Sequence, residues 1–152
     1  MKTNSILQLL KQHKVVIPSI QRDYAQGRNS GKIPHIRERF LDSIVNVLTQ
    51  DILPTMELDF VYGFIDKDKQ INGDVSVFKP LDGQQRLTTL FLIHWYIANK
   101  EGKMDEAKEL LNKFSYATRH SSRSFCEKLI NFSIQDSSLS VDEQIINQPW
   151  FF

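Results

Sequence analysis

Between Val75 and Lys100 the chain passes from a β-rich run into its longest apolar helical stretch, with only Asp82 and Gly83 between the two. Val75 to Leu81 has the residue types of a strand, and Leu87, Leu90, Phe91, Ile93, His94, Trp95 and Ile97 are dense enough to pack a helix over Gln84–Lys100 on most of its sides. This helix is expected to be the central buried one. The glycine turn ahead of it aims uncapped backbone N–H groups and the positive end of a helix dipole at one spot, a ready-made phosphate site.

The remaining elements follow from local signals. Ser5 to His13 carries Ile6, Leu7, Leu9 and Leu10 at helical spacing behind Asn4 or Ser5 as a cap. Lys14-Val15-Val16-Ile17 is β-branched and stops at Pro18, which predicts a short strand and then a loop. Pro34 to Thr49 reads as a second helix with proline at its start. Leu58–Ile65 and Val75–Leu81 are expected as an antiparallel hairpin joined through Asp66–Gly73, whose Asn72-Gly73 pair is a turn signal. Further helices are predicted over Met104–Asn112 and Ser122–Asn131, with an extended segment over Lys113–Thr118 between them and a polar surface loop from Ser133 to Ser140.

A chain of 152 residues is the size of a single domain with one substantial core. Nineteen basic against eighteen acidic residues leave a formal charge of +1, so no net field draws it onto nucleic acid and any basic site is local. The single cysteine, Cys126, precludes an internal disulfide, and no Cys/His cluster has the spacing of a zinc site, which fits a reducing cytoplasm. No stretch approaches the roughly 20 apolar residues of a membrane span. The last residues, Gln148-Pro149-Trp150-Phe151-Phe152, are apolar where a chain end is usually polar. They suggest a piece of a longer protein whose aromatics pack against residues not present in this sequence. The expected division is a domain over 1–132 and the start of a following region over 133–152.

Three segments carry candidate chemistry. The first is Leu81-Asp82-Gly83-Gln84-Gln85-Arg86-Leu87-Thr88-Thr89-Leu90, where Arg86 offers a planar fork of donors to phosphate oxygens, Gln85 an amide able to position water, and Asp82 a carboxylate able to cap the helix or hold Mg²⁺ through water. Spacing alone leaves open that Asp82 is only a cap and Arg86 a solvated first-turn residue. The second is Pro18-Ser19-Ile20-Gln21-Arg22-Asp23-Tyr24, at the end of a predicted strand, which also reads as a polar surface loop with Tyr24 packed inward. The third, Phe114 to Arg123, sets Arg119, Arg123 and several hydroxyls ahead of a helix, where serines equally serve as caps. His13, His35, His94 and His120 are scattered and read as structural or surface residues, His94 being the one expected to be buried.

Together these segments resemble the N-terminal domain of the GmrSD family of type IV restriction enzymes, on the Ile17-Pro18-Ser19-Ile20-Gln21-Arg22 opening followed by Asp82-Gly83-Gln84-Gln85-Arg86-Leu87-Thr88-Thr89-Leu90, over about Leu7 to Phe132. Tyr116-Ala117-Thr118-Arg119 looks like a further family element. The resemblance implies an α/β (α+β) fold of ParB/sulfiredoxin-like type, a small mixed sheet flanked by helices, that binds and hydrolyses a nucleoside triphosphate, GTP or ATP, with Mg²⁺. It further implies Asp82, Gln85 and Arg86 as the catalytic set and Gln21, Arg22, Gly83, Gln84, Arg86 and Arg119 as nucleotide-binding residues, with no metal held directly by the protein. The partners it implies are DNA, met through the full-length protein, and a C-terminal nuclease domain or subunit with a His-Asn-His type site. No nuclease activity is then expected of this chain by itself. A sulfiredoxin-like redox reaction needs a cysteine beside the phosphate loop, where this chain has Gln84 and Gln85. A ParB-like module, in which nucleotide switches DNA binding without significant hydrolysis, is the alternative.

Overall fold

The computed structural model describes residues 5–18, 31–50, 56, 61–70, 73–117, 120–135 and 138–151. Among them, the elements run α1 (Ile6–Gln12), β1 (Lys14–Ile17), α2 (Ile33–Leu48), β2 (Gly63–Gln70), β3 (Gly73–Pro80), α3 (Gln84–Lys100), α4 (Met104–Leu111), β4 (Phe114–Tyr116), α5 (His120–Ile130) and α6 (Val141–Ile146). The fold is the expected mixture of helices with a small mixed sheet.

Local chemistry accounts for the starts and stops. Ser5 and Gln8 form a reciprocal capping box at α1, each side chain bonded to the other's backbone N–H, at 3.2 and 2.9 Å. Ser140 and Glu143 repeat the device at α6. That helix was not expected, although Ser140-Val141-Asp142-Glu143 is a legible start signal. In β1 the side chains alternate, with Val15 and Ile17 buried.

The sheet order is β2-β3-β1-β4. β1 runs parallel to β3 on one side, with Val15 opposite Phe78, and parallel to β4 on the other, with Ile17 opposite Tyr116. β2 and β3 form the antiparallel hairpin, in register from Gly63↔Pro80 to Gln70↔Gly73. β2 thus starts and ends about five residues later than the sequence predicted: Asp66 to Gln70, expected as the connection, belong to the strand. The physical reason is that the backbone ladder continues wherever both chains can pair, and the register runs unbroken to Gln70↔Gly73. The expected strand residues Leu58 to Phe60 lie outside the described residues.

α3 lies at the centre of the core. Its Leu87, Phe91 and Trp95 are buried together with Leu10, Val15, Leu111, Phe114 and Leu129. Phe91 stacks on Phe114 of β4 with ring centroids 4.6 Å apart. The Trp95 indole N–H donates to the Leu129 carbonyl at 2.7 Å, satisfying a buried donor and tying α3 to α5. His94 is only half-buried, its Nδ1 2.8 Å from the Leu90 carbonyl oxygen.

α2 has no buried residue, and its Ile36, Val45 and Leu48 are exposed. Packing corrects one expectation. The C-terminal aromatics do find partners inside the domain: Trp150 packs against Phe125 and Phe132, with centroids 6.0 Å from each, and Phe151 lies 6.2 Å from Phe125. With Ile134, Val141 and Ile145 also on the core, much of 133–151 packs against the body that precedes it. Apolar surface finds the nearest apolar surface, and α5 supplies it.

Candidate functional site

The start of α3 is shaped by a turn that only glycine can make. Beyond the buried Pro80, the N–H groups of Leu81 and Asp82 both donate to the Tyr62 carbonyl, at 2.9 and 3.2 Å, folding the chain back over the hairpin. Gly83 then takes a left-handed conformation, φ 79°, as the N-cap. A Cβ there would come within 2.6 Å of Val61 Cγ2, so both backbone and space select glycine.

A glycine cap brings no side-chain oxygen, and no side chain caps α3. The positive end of the dipole of this 17-residue helix therefore meets no capping side-chain oxygen at Gly83. Asp82 stands one residue ahead of the cap, so its reading as the helix cap is corrected. Its carboxylate instead meets Arg86, with Oδ2 3.5 Å from Nη2. The arginine side chain is 25% exposed against 57% for the aspartate, and its Nε is shielded from water.

Of the two glutamines, Gln84 turns inward: its Nε2 donates to the Pro80 carbonyl at 2.7 Å, binding the strand end to the helix start. Gln85 is half-buried, and its carbonyl accepts from the Thr89 hydroxyl at 2.9 Å.

The sheet brings the ends of the three strands β1, β3 and β4 to one edge. Because β3 and β4 both run parallel to β1, their carboxyl ends at Ile17, Pro80 and Tyr116 point the same way. Pro18 follows β1 there, Leu81 leads into Asp82–Arg86, and Ala117, whose N–H bonds to the Ile17 carbonyl at 2.8 Å, follows β4. In open α/β sheets such an edge, where strand order reverses, is where ligands bind. Gln21, Arg22, Asp23, Tyr24 and Arg119 themselves lie outside the described residues.

On the β4 side, Arg123 donates from Nε to the Tyr116 carbonyl at 2.9 Å and from Nη2 to the Ala117 carbonyl. Part of its guanidinium is thereby occupied in holding the β4–α5 connection. The Tyr116 phenol is 2.9 Å from the Thr88 hydroxyl on α3, and this pair stands in a cavity of about 250 Å³ lined also by Phe91, Leu92, Ser122 and Phe125. Thr88 was no candidate in the sequence beyond its place in the motif. Its signal was spacing: it follows Gln84 by four residues and so shares that helix face.

Cys126 reaches the same cavity, but burial pushes its thiol up to about 12, and no thiolate chemistry is available near neutral pH. Among the described residues, no three His, Cys, Asp or Glu side chains gather as a metal site, and no helix is long and apolar enough to cross a membrane.

A model of the family described as "GmrSD restriction endonuclease, N-terminal domain" matches residues 6–149. No curated protein and no solved structure matches the chain.

Proposed function

This chain belongs to the family of GmrSD restriction endonuclease N-terminal domains, and we propose that it binds and hydrolyses a nucleoside triphosphate to regulate DNA cleavage by a nuclease domain or subunit. The observation that carries the reading is the convergence of three parallel strand ends on an α3 start that lacks a side-chain cap behind a left-handed glycine. The ParB/sulfiredoxin-like arrangement, the phage-defence setting and the cytoplasmic location belong to the same proposal.

The α3 start fits a triphosphate by the chemistry of its donors. Backbone N–H groups at Gly83, Gln84 and Gln85 accept no proton and carry no charge to repel an anion, while Arg86 adds a fixed positive charge. Gln21, Arg22 and Arg119 complete the phosphate shell from the two neighbouring strand ends. Mg²⁺ accompanying the nucleotide would neutralise phosphate charge, with Asp82 as the carboxylate to hold it through water.

In hydrolysis the oxygen of a water bonds to the γ-phosphorus as the bond to the β,γ-bridging oxygen breaks, giving nucleoside diphosphate and inorganic phosphate with a proton passed to solvent. Gln85 orients that water, and Arg86 stabilises charge on the phosphoryl oxygens. The test is thermal-shift and phosphate-release measurement with ATP, GTP and CTP plus Mg²⁺. Stabilisation with phosphate release supports the reading. Stabilisation without release points to a ParB-like switch, and neither response removes the nucleotide from this site.

A further inference from the structure

We infer that the cavity between α3, β4 and α5 seats the base of the same nucleotide whose phosphates lie at the α3 start, so that this inference rests on the phosphate site proposed above. The cavity, about 250 Å³, has walls from Phe91, Leu92 and Phe125, with the hydroxyls of Thr88, Tyr116 and Ser122 among them. A flat heterocycle with polar edges matches that mixture: apolar and aromatic faces take its ring, and hydroxyls meet its edge nitrogens and oxygens.

Position singles out the free nucleotide as the source of the base. Thr88 follows Gln84 on α3 by one turn, about 6 Å along the axis, so the cavity and the α3 start are neighbours on one helix. Tyr116 closes the other side, where β4 ends at the same sheet edge as β1 and β3. A ribose spans the step between them. The Thr88–Tyr116 contact at 2.9 Å, in which either oxygen can donate, ties α3 to β4 across the cavity. Arg123, by holding the carbonyls of Tyr116 and Ala117, fixes the phenol's strand against the helix that carries Ser122.

The test compares ATP with inorganic tripolyphosphate, which has the phosphates and no base, on the full chain with Mg²⁺. Wild-type protein should prefer ATP by roughly tenfold to a hundredfold, the range that stacking a base on aromatic side chains supplies. Ser122→Trp, which fills the cavity from its rim, should remove most of that preference while tripolyphosphate affinity stays within about twofold. Tyr116→Phe should weaken ATP alone, by several-fold.

Equal wild-type affinity for ATP and tripolyphosphate would leave the phosphate site standing and overturn the base seat, and this comparison needs no variant to fold. Ser122→Trp weakening both ligands alike would overturn it too. So would a variant that loses only binding of a short DNA duplex, which would assign the cavity to a base from DNA. Wild-type protein that binds neither ligand would overturn the phosphate site and the inference with it.

Discussion

Asp82 and Arg86 face each other across the first turn of α3, the carboxylate Oδ2 3.5 Å from the guanidinium Nη2 and the aspartate the more exposed of the two. At that distance and exposure the pair contributes little to stability and does not compete strongly with an incoming phosphate. It keeps the arginine near the helix start, where the proposed triphosphate would meet it.

Arg86→Ala should therefore cost binding more than folding. Loss of a charge-assisted contact of about 1.5–3 kcal/mol predicts roughly a tenfold to hundredfold fall in triphosphate affinity. The melting midpoint should fall by no more than about 4 °C, as for a loss of about 1 kcal/mol. Titration calorimetry alongside circular dichroism separates the two, and an unfolded variant with unchanged affinity in its folded fraction would make the arginine structural.

Gln85→Ala should do the reverse, preserving most of the affinity while lowering turnover, because an amide that orients water acts in the transition state. A steady-state phosphate-release assay at saturating nucleotide reads this directly. Parallel losses in affinity and turnover would place Gln85 among the binding groups.

Gly83→Ala should damage both fold and site. The left-handed backbone costs an L-residue about 1–2 kcal/mol, and the new methyl must also displace Val61. A lower urea midpoint with weakened triphosphate binding is expected, and Gly83→Asn, which tolerates this backbone better, should still suffer from the contact. Wild-type stability in Gly83→Ala would contradict the geometry of the turn.

Cys126 should be silent to Ellman's reagent near neutral pH in the native protein and react fully once the chain is unfolded, since burial raises its thiol to about 12. The sign of the linkage follows. A folded pKa above the unfolded value of 9.0 leaves this contribution intact below about 9 and removes it as pH rises toward about 12. Cys126→Ala should flatten that alkaline loss in chemical-denaturation curves, and rapid native labelling at neutral pH would show that the thiol is not shielded.

Much of the local structure was legible without coordinates. Ser5 before an apolar periodic run, the β-branched Lys14–Ile17, and the passage from Leu81 through Gly83 to Gln84 are short-range signals, because caps, rotamer stiffness and left-handed glycine act on neighbours in the chain. Ser140–Glu143 carries the same kind of signal, a capping box at the start of α6. The DGQQR segment identified the candidate site for the same reason: its glycine, helix start and arginine all fall within five residues.

Sequence by itself thus determined which segments form helix or strand, where the chain must turn, and which side chains have the chemistry to meet a phosphate. Tertiary structure alone decided that β1 lies between β3 and β4, and so that the strand ends at Ile17, Pro80 and Tyr116 share one edge. It alone turned Gln84 inward to the Pro80 carbonyl, paired Thr88 with Tyr116, and gave Trp150 a place on α5. The physical reason is range: propensity and capping are settled within a helical turn, whereas strand order and side-chain partners depend on how distant segments bury apolar surface together, and periodicity names a buried face without naming what covers it.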